Sequence, residues 1–119
     1  MASCDVLVIG AGPGGGSAAL HSARAGLSTI IVEADKEVGV PVHCGECLSQ
    51  MAVDNLDLDL PEDVVALDCK GIRIIFPDGT AKLLTEKGYV LEKHKFEQWL
   101  CDEAVKQGAS LHLSHRVTS

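Results

Sequence analysis

Aromatic residues are scarce in this chain: one tryptophan, one tyrosine and two phenylalanines among 119 residues. Packing must therefore rest on aliphatic side chains, which suits an α/β core whose parallel strands are covered on both faces. Basic residues are in deficit too, ten against seventeen acids, for a formal net charge of −7. No cationic stripe exists to neutralise phosphates, so nucleic acid is excluded as a partner, and charge alone will not hold the chain on an acidic membrane. Long apolar runs are also missing. The first, Val6 to Ile9, stops at glycine, too short for a secretory signal and far from the ~20 residues of a membrane span. The five cysteines (Cys4, Cys44, Cys47, Cys69, Cys101) are odd in number and scattered. Without a signal they read as reduced thiols of a cytoplasmic protein, not as a disulfide framework. No internal repeat or low-complexity segment is visible.

Glycine, by contrast, is plentiful, and its placement carries the first functional signal. Asp5-Val-Leu-Val-Ile9 reads as a buried strand, and Gly10, Gly12 and Gly15 then spell G-x-G-x-x-G around Pro13 and Gly14. A helix is predicted from Pro13 to Ala25, rich in small residues, with Gly26 closing it and Arg24 complementing its dipole. Leu27 to Glu33 is a second strand, ending on a carboxylate 23 residues after Gly10. Glycines for close backbone approach, a helix N-terminus for a pyrophosphate and an acid for a ribose diol make a dinucleotide site. Three successive glycines at a helix start cost ~1 kcal/mol each in helix propensity, which a purely structural turn would not need. Glu33 would repel a 2′-phosphate, so NADP does not suit this position.

The chain after Glu33 departs from a simple nicotinamide-binding domain. Residues 34–50 form an irregular loop holding His43-Cys-Gly-Glu-Cys47, with a helical turn from about Leu48 to Asp54. Residues 54–70 are an acidic connection with Pro61 as a break, in which no chemistry is evident. Gly71–Phe76 and Ala81–Thr85 flank Pro77-Asp-Gly79 as a β-hairpin, so Asp78 is turn chemistry. Phe96, Trp99, Leu100 and Ala104 share one face of a helix from Lys93 to Gln107, and Ala109–Leu113 is one more strand. Trp99 reads as a packing residue.

The His43-Cys-Gly-Glu-Cys47 segment admits several readings. A zinc half-site needs a second ligand pair, and His112 and His115, three apart, would point to opposite faces of a strand. A thioredoxin-like pair conflicts with the opening glycine motif. A thiol relay beside a flavin, and a plain turn with incidental cysteines, both stay open. The reading favoured is a loop against a bound cofactor, with Gly45 permitting close approach and Cys44 facing the reactive ring.

Taken together, Asp5 to Gly15, Glu33 and Pro41-Val-His-Cys-Gly-Glu-Cys-Leu-Ser49 resemble the geranylgeranyl reductase family of FAD-dependent enzymes, in its archaeal branch. Gly88 to Leu100 is similar to that family's tyrosine-to-helix segment. The resemblance implies an α/β, Rossmann-like FAD/NAD(P)-binding domain of the p-hydroxybenzoate hydroxylase type, incomplete, with a small β-hairpin insertion. Within it, residues 5–33 would be the βαβ unit, 34–50 the cysteine loop, 51–85 connection and hairpin, and 88–117 helix and strand. It implies FAD on Gly10, Gly12, Pro13, Gly14, Gly15 and Glu33, with Cys44, Gly45 and Cys47 in a flavin-side loop. Lys93 would touch FAD where the family often has arginine, and the Val117 backbone would meet adenine. Cys44 is the candidate catalytic residue, and no metal is expected.

The implied reaction is reduction of isoprenoid double bonds in membrane lipid precursors by hydride from reduced flavin. Its implied partners are an isoprenoid lipid and an electron donor, NAD(P)H or ferredoxin, with room for peripheral contact with a membrane. The sequence departs from the family pattern at His43 (arginine more often), Cys47 (commonly glycine) and Lys93, which lacks arginine's planar fork. At 119 residues the chain is short for such an enzyme, and alone it is expected to bind FAD weakly and not to catalyse. The alternatives are a monooxygenase or electron-transfer dehydrogenase of the same fold, or a non-catalytic nucleotide- or zinc-binding module.

Overall fold

A computed structural model describes residues 3–118. In chain order the elements are β1 (Val6–Ile9), α1 (Pro13–Arg24), β2 (Thr29–Val32), β3 (Cys47–Ser49), α2 (Gln50–Asn55) and β4 (Val65–Cys69). There follow β5 (Ile72–Ile75), β6 (Ala81–Leu84), β7 (Gly88–Leu91), α3 (Lys93–Lys106) and β8 (Ser110–His112), with a 3₁₀ turn at Glu62–Val64 before β4. Two units result. One takes the chain up to Val42 and resumes at Lys93; the other is His43–Glu92.

In the first unit, β1, β2 and β8 form a parallel sheet with β2 in the middle, Val6 opposite Thr29 and Ile30 opposite Ser110. The short strands are apolar because α1 covers them: Val8 and Ile31 are buried. α1 and α3 pack against each other closely at Gly16, where an added Cβ would lie 2.9 Å from Leu100 Cβ. Leu20, Ile31, Leu100 and Cys101 are fully buried and form the core. α1 ends in a Schellman pattern, with Leu27 N–H on Ser22 O and Gly26 N–H on Ala23 O.

The continuous run Val6–Ile9 suggests a central strand, covered on both faces. Among the described residues β1 is instead an edge strand, and Leu7 and Ile9 on its far face are 53% and 64% exposed.

In the second unit, β7 is the middle of an antiparallel sheet, paired with β3 on one side and β4 on the other. Ser49 caps α2 by accepting from Ala52 N–H at 3.2 Å. Val53, Leu58, Val64 and Leu91 are buried. The hairpin β5–β6 stands as a two-stranded sheet, turned by Phe76 to Thr80, with Asp78 accepting from Thr80 N–H at 2.9 Å. Asp78 is thus turn chemistry. The hydroxyl and N–H of Thr80 hold its pKa below the ordinary carboxylate value.

The strands β3, β4 and β7 have no counterpart in the sequence reading. Each is short, β4 lies in the acidic stretch, and its register with β7 slips between Val65 and Leu67. A bulge of that kind breaks the alternation by which a strand is recognised. No helix among the described residues is long and apolar enough to cross a membrane.

Candidate functional site

β1 runs directly into Gly10, whose φ of +97° turns the chain and whose N–H donates to Val32 O at 2.8 Å. A Cβ on Gly15 would lie 1.9 Å from Gly10 O and 3.1 Å from Val8 Cγ1, so its missing side chain is a requirement of the turn itself. Gly12 and Gly14 differ. An added Cβ there meets nothing within 4 Å, and neither has a positive φ. The fold gives no internal reason for glycine at these two positions, but a ligand approaching the backbone would.

α1 starts at the same place, with Gly12 as N-cap, no side-chain cap bond, Pro13 in the first turn and no acid there. Its N-terminal N–H groups and the positive end of its dipole are left without a carboxylate or hydroxyl from this turn. Such an arrangement suits a pyrophosphate.

Glu33 is tied to this turn more closely than the sequence indicates. Its Oε2 accepts from Ala11 N–H at 2.7 Å, and its Oε1 accepts from Asp35 N–H at 3.0 Å. Burial alone would raise its pKa. The N–H groups of Ala11, Asp35 and Ala34, with the Arg116 charge, outweigh that and hold the carboxyl below its usual value. A carboxylate has about four acceptor sites, so these N–H groups leave acceptor capacity for a ribose hydroxyl.

The segment after β8 closes over the same end of β2, with His115 N–H on Glu33 O at 2.7 Å and Ser114 N–H on Asp35 O at 2.9 Å. Val117 follows, 49% exposed. Here one expectation fails. His112 and His115 do not point apart; Ser114, at φ +58°, turns the chain and brings the rings to 5.5 Å, edge to face. No group of three or more metal-ligating side chains gathers among the described residues.

Lys93 opens α3, and its Nζ is hydrogen-bonded to Glu97 Oε1 one turn on. Glu97 is only 3% exposed. The face predicted for α3 was Phe96, Trp99, Leu100 and Ala104; the buried set is Phe96, Glu97, Leu100, Cys101 and Ala104. Trp99 lies at the margin and packs on Phe96 with ring centroids 6.0 Å apart. Cys101 is buried beneath the turn, its thiol 3.8 Å from Ala11 O. Burial first, then the charges of Asp102, Glu97 and Glu33, push its pKa up to about 11.

The cysteine loop is divided: residues 34–42 belong to the first unit, and the segment from His43 on, with both cysteines, to the second. Cys44 is exposed, and its Sγ accepts from Glu46 N–H at 3.4 Å; the Cys47 thiol donates to Gly45 O at 3.3 Å. The two cysteines differ in setting. Cys47 begins β3 opposite Val90 and lines a cavity of about 260 Å³ with Leu48, Cys69, Ile72 and Tyr89, whereas Cys44 stays outside it. Both are free thiols.

Residues 5–71 match the FAD dependent oxidoreductase family. The digeranylgeranylglycerophospholipid reductase of Thermoplasma acidophilum is 39% identical over 93% of this chain and 30% of its own length. That of Methanothrix thermoacetophila is 37% identical over 96% of this chain and 30% of its own. The chain thus spans about 30% of the length of the curated relatives it matches. A crystal structure of a geranylgeranyl bacteriochlorophyll reductase-like protein from Thermoplasma acidophilum superposes with a TM-score of 0.88 at 39% identity, covering 93% of this chain and 30% of that one. A myxobacterial FAD-dependent halogenase superposes at 0.80 with 19% identity, over 97% and 29% of the two chains, a likeness of fold alone.

Proposed function

This chain belongs to the FAD dependent oxidoreductase family, and from that premise we propose that the whole protein reduces isoprenoid double bonds in a digeranylgeranyl lipid. The structural observation that supports its FAD part most is the pair Gly12 and Gly14, open to approach at the uncapped start of α1. To this is added the family to which residues 5–71 belong, and relatives of 37–39% identity bearing that reductase name.

In this reading Gly10 and Gly15 hold the turn, Pro13 presets the first helical φ, and the N–H groups around Gly12 and Gly14 receive the FAD pyrophosphate. Glu33 accepts from the adenosine ribose hydroxyls with the oxygens' remaining lone pairs. Lys93 places a positive charge at the cofactor, and the backbone at Val117 meets adenine. Cys44, Gly45 and Cys47 form the flavin-side loop, with Cys44 touching the reacting region. Reduced FAD, when bound, supplies a hydride to an alkene carbon, and a proton completes the saturation. An electron donor, NAD(P)H or a ferredoxin, restores the reduced state, and peripheral contact with the membrane gives access to the lipid.

The test is purification of the full-length protein, with a flavin spectrum expected on the protein and saturation of a geranylgeranylated glycerophospholipid under reducing, anaerobic conditions. A colourless protein that ignores added FAD overturns the reading. So does an FAD-loaded protein that consumes oxygen with aromatic substrates and leaves the lipid unchanged.

A further inference from the structure

We propose that Glu97 is a positioning residue that fixes the Lys93 ammonium for the cofactor, and that Gly39 exists to leave room for its carboxylate. The proposal rests on the reading of Lys93 as an FAD contact.

An acid inside the buried face of a helix is costly, because a carboxylate loses its hydration there and needs a charged, hydrogen-bonded partner. Glu97 is such an acid, 3% exposed and on the same stripe as Phe96, Leu100 and Cys101. Its Oε1 takes the hydrogen bond from Lys93 Nζ at i,i+4 spacing, and the lysine side chain is itself only 19% exposed. A surface pair of this kind would be worth little. A buried one restricts a side chain that otherwise has four rotatable bonds, so its value lies in where it holds the ammonium.

The surroundings are arranged about this pair. A Cβ on Gly39 would lie 2.6 Å from Glu97 Oε2 and 2.8 Å from His94 Cα, and Gly39 sits at φ +77°, where a side chain is strained in any case. The loop carrying Gly39 is pinned to the same helix by Gln98, whose Nε2 donates to Val38 O at 3.0 Å. Val38 itself is buried. The first turn of α3, Lys93-His94-Lys95, contains no acid, so its charges oppose the helix dipole. The buried acid thus holds the ammonium at the positive end of the helix dipole, a setting that suits a negatively charged ligand.

The experiment is a double-mutant cycle on FAD affinity in the full-length apoprotein, using Glu97→Gln, Lys93→Met and the double variant, each titrated with FAD at low and high salt. Glu97→Gln is isosteric, and melting of the apoproteins separates folding from positioning. Expected is a loss of affinity of roughly tenfold in Glu97→Gln, the scale of one charge-assisted hydrogen bond misplaced, with a weaker salt dependence than wild type. In the Lys93→Met background the same change should no longer weaken binding, while Glu97→Asp should recover part of the loss. An unchanged affinity in Glu97→Gln, or an equal loss with and without Lys93, overturns the proposal while leaving the FAD reading intact. A wild type that binds no FAD overturns both, and is recognised because the failure precedes any substitution.

Discussion

The glycine turn and the cysteine loop are both short irregular connections rich in glycine, and they are held in place by different means. The turn between β1 and α1 is fixed by contacts distant in sequence: Glu33 reaches back 22 residues to Ala11 N–H, and Cys101 lies beneath Ala11 O from 90 residues away. In the cysteine loop the segment His43–Cys47 carries local bonds, with each thiol bonded to a backbone group two residues off. Its anchorage comes at its exit, where Leu91 N–H meets Glu46 O at 2.8 Å and Cys47 pairs with Val90. A turn built on distant contacts is preorganised and suits binding. A loop with exposed thiols and local bonds suits contact with what is bound.

By that contrast, substitutions in the turn act on folding and binding, and those at the two thiols act on neither. The largest effect belongs to Gly15→Ala. Its Cβ would overlap Gly10 O at 1.9 Å, against backbone that cannot rotate away. Loss of more than about 3 kcal/mol of stability is expected, the scale of a strained and overpacked site. Thermal melting of the full-length protein measures it, and a melt within a few degrees of wild type would contradict the geometry.

Next is Glu33→Ala, which removes the acceptor of Ala11 and Asp35 together with any ribose contact. FAD binding should weaken by roughly 1.5–3 kcal/mol, the worth of a hydrogen bond to a charged group. The same residue carries a pH signature. Its folded pKa is lowered, so its contribution is fully present above the ordinary value of 4.5 and is lost as pH falls through the folded pKa. Acid melts of wild type and Glu33→Ala should therefore converge at low pH and separate above about 5. Equal FAD affinity in the two proteins would remove Glu33 from the site.

How much of this was legible in the sequence follows the same division. The βαβ unit was readable because its signals are local: a strand run, glycines at fixed offsets, a small-residue helix. The acid at Glu33 was readable as well, but its bond to Ala11 was not, since nothing in residue type tells which backbone N–H a carboxylate finds. Glu97 was missed because an acid beside an apolar stripe is normally solvated. Its only signal was Lys93 four residues before it, a spacing that exposed pairs share. In the second unit β3, β4 and β7 were missed, three to five residues long and defined by partners rather than by pattern. The hairpin β5–β6 was found because Pro77-Asp-Gly79 announces its turn.

Gly14→Ala gives a smaller effect with two opposite signs. The position is helical, exposed and open, so alanine should raise apoprotein stability by roughly 0.5–1 kcal/mol through propensity. FAD affinity should fall severalfold, because the methyl occupies the space a pyrophosphate would approach. A gain in stability with unchanged affinity would mean that the open backbone serves no ligand.

The smallest effect on binding belongs to Cys44→Ser, and there the contrast between turn and loop is sharpest. Cys44 lies outside the unit that holds the glycine turn, and its Sγ accepts a local bond from Glu46 N–H. FAD affinity and melting temperature should stay within about twofold and a degree or two of wild type, the range of a surface change. Alkene reduction should nonetheless slow, since the side chain proposed to touch the reacting region has been altered. The thiols themselves report the premise. In the native protein an alkylating reagent should reach Cys44 and Cys47, whereas Cys101, fully buried and with its pKa pushed up to about 11, should react only on unfolding. Turnover equal to wild type with FAD bound would leave Cys44 no part in the reaction, and the loop would then be a turn with incidental cysteines.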